Sequence, residues 1–120
     1  MTASETGIRG EEAACDFLRQ QGYDIEARNW RQGHYELDIV ARRWNVMHIV
    51  EVKTRLINGL TTPEDALTPH KQRSLRRAAE AYLAVVGWDG EVQFDLAAVD
   101  VARDGRCAVR FIEDAIEYNW

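Results

Sequence analysis

The sequence predicts an α/β domain in which a mixed five-stranded sheet is flanked by two helices, in the order αβββαββ. Two segments carry apolar residues at three- and four-residue steps and each is closed by a glycine, which supplies the helices. Short runs rich in Tyr, Ile and Val, separated by turn residues, supply the strands. With 120 residues, 46% of them apolar, the chain has material for one core and not for two.

Residues 1–6 have no apolar anchor and are expected to be a mobile tail, so the domain is expected over residues 7–120. The first helix is read at about residues 9–21, from Ala14, Phe17, Leu18 and Gln21, with Gly22 as its stop. On its wheel Glu11 shares the stripe of Ala14 and Leu18, which aims one carboxylate inward. Three strands follow in YDIEARNW, YELDIVARR and VMHIVEVKTR, an antiparallel meander. The second and third are joined by Trp44 and Asn45 alone, with Asn45 the residue suited to a left-handed backbone. The stretch from Leu56 to Pro69 reads as a loop with one helical turn. Thr68 and Pro69 then cap and open a second helix, whose apolar positions Leu75, Ala78, Ala79, Tyr82, Leu83 and Val86 lead to Gly87. VQFDLAAVDV is the fourth strand, Asp104 and Gly105 a turn, and CAVRFI the fifth strand.

Fifteen basic residues against 20 acidic ones leave a formal charge of −5, which excludes a histone-like polycation. The distribution is uneven. Between Arg28 and Arg77 stand ten basic residues and five acids, a local +5, so the remainder carries −10. Such a segment suits a face that meets an anion, or a solvated surface. Cys15 and Cys107 sit in apolar-patterned segments without zinc-type spacing. No run approaches the roughly 18 apolar residues of a membrane span, and the start lacks a signal-peptide pattern. A cytoplasmic protein with no membrane partner is expected.

Chemistry concentrates in the second and third strands. Side chains two apart on a strand share a face, so Glu36 pairs with Asp38 and Glu51 with Lys53. If the turn is Trp44–Asn45, Arg43 opposes Val46, Asp38 opposes Glu51, and Glu36 opposes Lys53. Two carboxylates with Cβ atoms roughly 5 Å apart among Ile39, Val40, Ile49, Val50 and Val52 call for a proton or a cation between them. Oxygen-only donors favour Mg²⁺ or Mn²⁺, whose retained water can attack a phosphodiester. Lys53, one of only two lysines, would present a point charge to a phosphate. The same pattern also describes an exposed, salt-bridged sheet face, and spacing alone leaves both readings open. Trp30, Trp88 and Trp120 suit core or rim as well as base stacking, and His48, between valines and isoleucine, suits a hydrogen-bonded filler.

Gly-x-x-Gly-Glu at residues 7–11, Arg28-Asn29-Trp30-Arg31, Glu36-x-Asp38 and Val50-Glu51-Val52-Lys53-x-Arg55 together resemble the YraN-like family of small bacterial proteins. That family is similar in turn to the archaeal Holliday-junction resolvases of the PD-(D/E)xK nuclease superfamily. The likeness covers roughly residues 7 to 100. It implies a restriction-endonuclease-like fold and a nuclease-like protein acting on DNA, including branched or structured DNA. It implies Glu11, Asp38 and Glu51 as metal-binding acids, Lys53 as the catalytic lysine and Glu36 as an accessory acid. Arg28, Arg31, Arg55, Lys71, Gln72, Arg73, Arg76 and Arg77 would contact nucleic acid, and a homodimer follows by analogy with resolvases. The sequence departs from the family at Tyr35, where Gly usually precedes the first acid. Two other classes stay open: a binding module that keeps the fold without cleavage, and a partner-binding protein whose carboxylates only form ion pairs.

Overall fold

A computed structural model of the chain describes residues 2–57 and 67–116. The expected loop turn at residues 58–66, with Glu64 and Asp65, and Trp120 lie outside the described residues. The elements are α1 (Ala3–Gln20), β1 (Asp24–Gln32), β2 (Tyr35–Arg43), β3 (Val46–Leu56), α2 (Pro69–Val86), β4 (Glu91–Val101) and β5 (Cys107–Ile112). They form one mixed sheet in the order β1-β2-β3-β4-β5. All neighbouring strands run antiparallel except β3 and β4, which are parallel. The parallel step requires a crossover, and α2 supplies it.

Helix α1 begins at Ala3, well before residue 9, so residues 3–6 of the stretch expected as a tail form its first turn. The reason is a reciprocal cap. Thr2 Oγ1 accepts the Glu5 N–H at 3.1 Å while Glu5 Oε2 accepts the Thr2 N–H at 3.4 Å, which satisfies donors that an uncapped start would leave orphaned. The Thr-x-x-Glu spacing was present in the sequence; the lack of apolar residues hid it. At the second helix the expected cap is observed. Thr68 Oγ1 accepts the Lys71 N–H at 3.2 Å and Gly87 closes the helix at φ 73°.

The two helices cover opposite faces. Ala14, Cys15 and Leu18 of α1 pack on Ile39, Ala41, Val50, Ala97 and Val99. Leu75, Ala78, Ala79 and Tyr82 of α2 pack on Leu37, Val40, Met47, Ile49 and Phe94. Gly10 lets α1 press closely on β3, because a Cβ there would overlap the Thr54 side chain.

The β2–β3 hairpin has the expected two-residue turn, with Arg43 paired to Val46. The left-handed residue is Trp44, at φ 55°, and not Asn45. The Arg43 guanidinium lies over the Trp44 ring at 4.6 Å and over the Tyr23 ring at 4.3 Å, contacts that offset the steric cost of a bulky residue in that conformation. His48 is the buried filler expected, its Nδ1 lying 2.7 Å from Asp95 Oδ2. Asp95 is fully buried and also accepts from Gln93 Nε2 at 2.8 Å and from the Asp114 N–H at 3.0 Å.

Candidate active site

The ladder between β2 and β3 runs from Arg43–Val46 only as far as Ile39–Val50. Strand β3 continues to Leu56 with β4 as its ladder partner. At that fork the Val52 N–H donates to Asp38 Oδ2 at 2.8 Å, so a carboxylate takes the place of a backbone acceptor. Leu37 and Val40 both belong to the cluster under α2, so the two-residue alternation of β2 breaks around Asp38. The strands therefore open where the acids stand.

A cleft of about 930 Å³ fills this opening. Its floor is Asp38, Glu51, Val52 and Lys53. One wall is the tip of the β1–β2 hairpin, from Gln32 to Glu36, and the other is Leu67 with Lys71, Ser74, Leu75 and Arg77 of α2. The expected opposition of Asp38 and Glu51 is realised as a direct contact. The two carboxyl groups are hydrogen-bonded to each other, and the Glu51 pKa is pushed from 4.5 up to about 7, by burial first and by the Asp38 charge second. Burial also raises Asp38, against the Val52 N–H, the Glu51 hydrogen bond and Lys53, which lower it. Lys53 Nζ lies 3.7 Å from Glu51 Oε1.

Lys71 stands within hydrogen-bonding reach of Lys53. That contact, then burial, then the Lys53 charge lower its pKa. The chain's two lysines thus sit side by side over a pair of acids. Their distance in sequence concealed this, although the scarcity of lysine was a signal.

Other expected site residues are arranged differently. Glu36 does not oppose Lys53. It pairs across the β1–β2 ladder with Arg31, at 3.4 Å and largely exposed, because the β2–β3 ladder ends before reaching it. Glu11 points inward from α1, its side chain 17% exposed, but α1 packs on the face opposite α2. Its carboxylate accepts from the Asn29 side chain and lies 3.9 Å from Arg28 Nε; burial and the Asp38 charge raise its pKa. Oε1 is buried with no hydrogen-bond partner. Among the described residues no three His, Cys, Asp or Glu side chains are grouped to hold one ion, so Glu11 does not converge with Asp38 and Glu51 as expected, because α1 carries it on the other face of the sheet.

Asn29 had no role assigned from sequence. It takes a left-handed φ of 50° in mid-strand, level with the opening at Asp38, where its amide meets Glu11. Of the expected phosphate contacts, Arg28 and Arg31 are paired as above, and Arg55 Nε donates to Asp100 Oδ1 at 2.6 Å. Gln72 Nε2 donates to the Leu67 carbonyl at 3.0 Å. Arg73 is exposed and Arg76 half-buried on α2, while Lys71 and Arg77 face the cleft. The cationic rim is thus narrower than the sequence suggested.

No helix among the described residues is long and apolar enough to cross a membrane. A family model described as "Uncharacterised protein family UPF0102" matches residues 10–99. A UPF0102 protein of Nitratidesulfovibrio vulgaris is 45% identical over 113 residues, covering 93% of this chain and 84% of the relative. One from Bacteroides fragilis is 42% identical over 109 residues, covering 91% and 89%. One from Porphyromonas gingivalis is 43% identical over 104 residues, covering 87% and 77%.

Proposed function

The chain belongs to the UPF0102, or YraN-like, family, and on that premise we propose that it is a divalent-metal-dependent nuclease-like protein that hydrolyses phosphodiesters in DNA, including branched or structured DNA. We read its αβββαββ architecture as restriction-endonuclease-like. The observation that carries the proposal is the juxtaposition at the β2–β3 fork: two touching carboxylates under two ammonium groups, on the floor of an open cleft. A structural ion pair needs one acid and one base; this arrangement doubles both and leaves them accessible.

The residues fit a hard cation. Asp38 and Glu51 are all-oxygen donors that repel each other unless a proton or metal lies between them. Mg²⁺ is commonly held by one or two carboxylates with waters completing its shell, so a closed cage is not required. Asp38 and Glu51 would hold Mg²⁺ or Mn²⁺ from the cleft floor. Bound there, the ion would supply Lewis acidity toward a phosphoryl oxygen and a more acidic water. Lys53 neutralises charge that builds on the phosphate under attack, and Lys71 and Arg77 hold the strand against α2. The Val52 N–H holds Asp38 Oδ2 in place throughout.

A non-catalytic nucleic-acid-binding module is the second reading, favoured by the absence of a three-acid group among the described residues. Purified protein incubated with Mg²⁺ or Mn²⁺ and a panel of linear, flapped and four-way DNA separates the two. Cleavage lost in Asp38→Asn supports the enzyme; binding without cleavage under every metal supports the module. A cytoplasmic location and a homodimer on two-fold DNA belong to the same proposal.

A further inference from the structure

The cleft is chemically two-sided. Cations line the α2 wall at Lys71 and Arg77, acids line the floor at Asp38 and Glu51, and the hairpin wall includes the aromatic residues His34 and Tyr35. Tyr35 is 39% exposed. Among the described tyrosines and tryptophans it is the one ring with no aromatic or cationic partner: Trp30 packs edge-on against Tyr82, Tyr23 against His48, and Arg43 and Arg42 lie over Trp44 and Trp88. Its backbone is held in place: Tyr35 closes the β1–β2 hairpin opposite Gln32 across a two-residue turn in which Gly33 takes φ 60°.

A ligand matching these walls carries a phosphate on one side and a flat apolar surface on the other, which describes a single nucleotide. In continuous duplex the base faces are covered by their neighbours, and a tyrosine can reach one only where the base is unstacked or extruded. We infer that the cleft takes an unpaired DNA nucleotide, its base stacked on Tyr35 and its phosphate against Lys71 and Arg77. The inference rests on the DNA-directed reading of the same site and narrows its substrate to DNA with a flap, overhang or unpaired branch point.

The experiment compares binding, in chelator, to a blunt duplex and to the same duplex bearing a single-stranded flap that contains a fluorescent adenine analogue. The wild-type protein is expected to prefer the flapped DNA by roughly fivefold to a hundredfold, the range of one base–aromatic stack, and to quench the analogue. Tyr35→Ala, its fold checked by circular dichroism and thermal melting, is expected to lose both the preference and the quenching. Tyr35→Phe and Tyr35→Trp are expected to retain both. Equal wild-type binding to the two DNAs, or flap preference unchanged in Tyr35→Ala, overturns the inference. The same DNAs are then given Mg²⁺ or Mn²⁺. Cleavage without flap preference leaves the nuclease reading standing and removes the inference; Tyr35-dependent flap binding without cleavage does the reverse.

Discussion

Replacing Glu51 with glutamine tests whether the acid pair carries the electrostatic cost that its geometry implies. In the folded protein the Glu51 carboxyl holds its proton up to about pH 7, against 4.5 for the free group, because it is buried beside Asp38. The folded state therefore binds this proton more tightly than the unfolded chain. Below about pH 4.5 both states are protonated and folding bears no penalty. Between 4.5 and about 7 the unfolded chain releases the proton first, so stability falls as pH rises, and above about 7 the loss is complete. At roughly 1.4 kcal/mol per tenfold change in proton affinity, the displacement amounts to about 3 kcal/mol. For a domain of this size that is on the order of 10 °C in Tm. Glu51→Gln keeps the shape and a hydrogen bond to Asp38 but cannot ionise. Thermal melts of both proteins from pH 5 to pH 8, at constant ionic strength, are expected to show the wild type losing about 10 °C relative to the variant. Mg²⁺ at pH 8 is expected to recover part of that loss in the wild type, since binding only the folded state stabilises it, and to do far less in the variant. Parallel melting curves for the two proteins across this range would refute the reasoning.

Four further outcomes follow from the same structure. Lys53→Ala is expected to lower the cleavage rate roughly tenfold to a thousandfold, on the scale of a removed transition-state contact, with DNA affinity little changed in gel-shift titration. Asp38→Asn is expected to abolish metal-dependent cleavage in the same assay yet tighten DNA binding at low salt, because a negative charge facing phosphate is gone. Gly10→Ala forces a methyl into Thr54 and is expected to cost roughly 1–3 kcal/mol in urea unfolding; an unchanged midpoint would mean that α1 does not press on β3 as closely as the structure has it. Asp95→Ala strips three donors of a fully buried acceptor and is expected to cost roughly 3–5 kcal/mol, read by the same method.

Much of the fold was legible in the sequence because it is written in short-range repeats. Apolar steps of three and four residues gave α1 and α2 their faces, Thr68 and Gly87 bounded α2, and alternation along β2 and β3 set Asp38 against Glu51 once Trp44 and Asn45 were taken as the turn. These features depend on residues within one element or one hairpin, where backbone geometry dictates the neighbours. Where the β2–β3 ladder ends is another matter, since it depends on how β3 pairs with β4 and how both helices pack. That single event, at Ile39 and Val50, decides that Glu36 meets Arg31 instead of Lys53, that Asp38 takes the Val52 N–H, and that a cleft exists at all. Tertiary structure alone also brought Lys71 to Lys53, gave Arg28 and Arg55 to acids from other elements, and placed Glu11 on the opposite side of the sheet from α2. The physical reason is range: periodicity encodes which face a side chain takes, whereas the partner of a charge is set by which distant segment the packing delivers to that face.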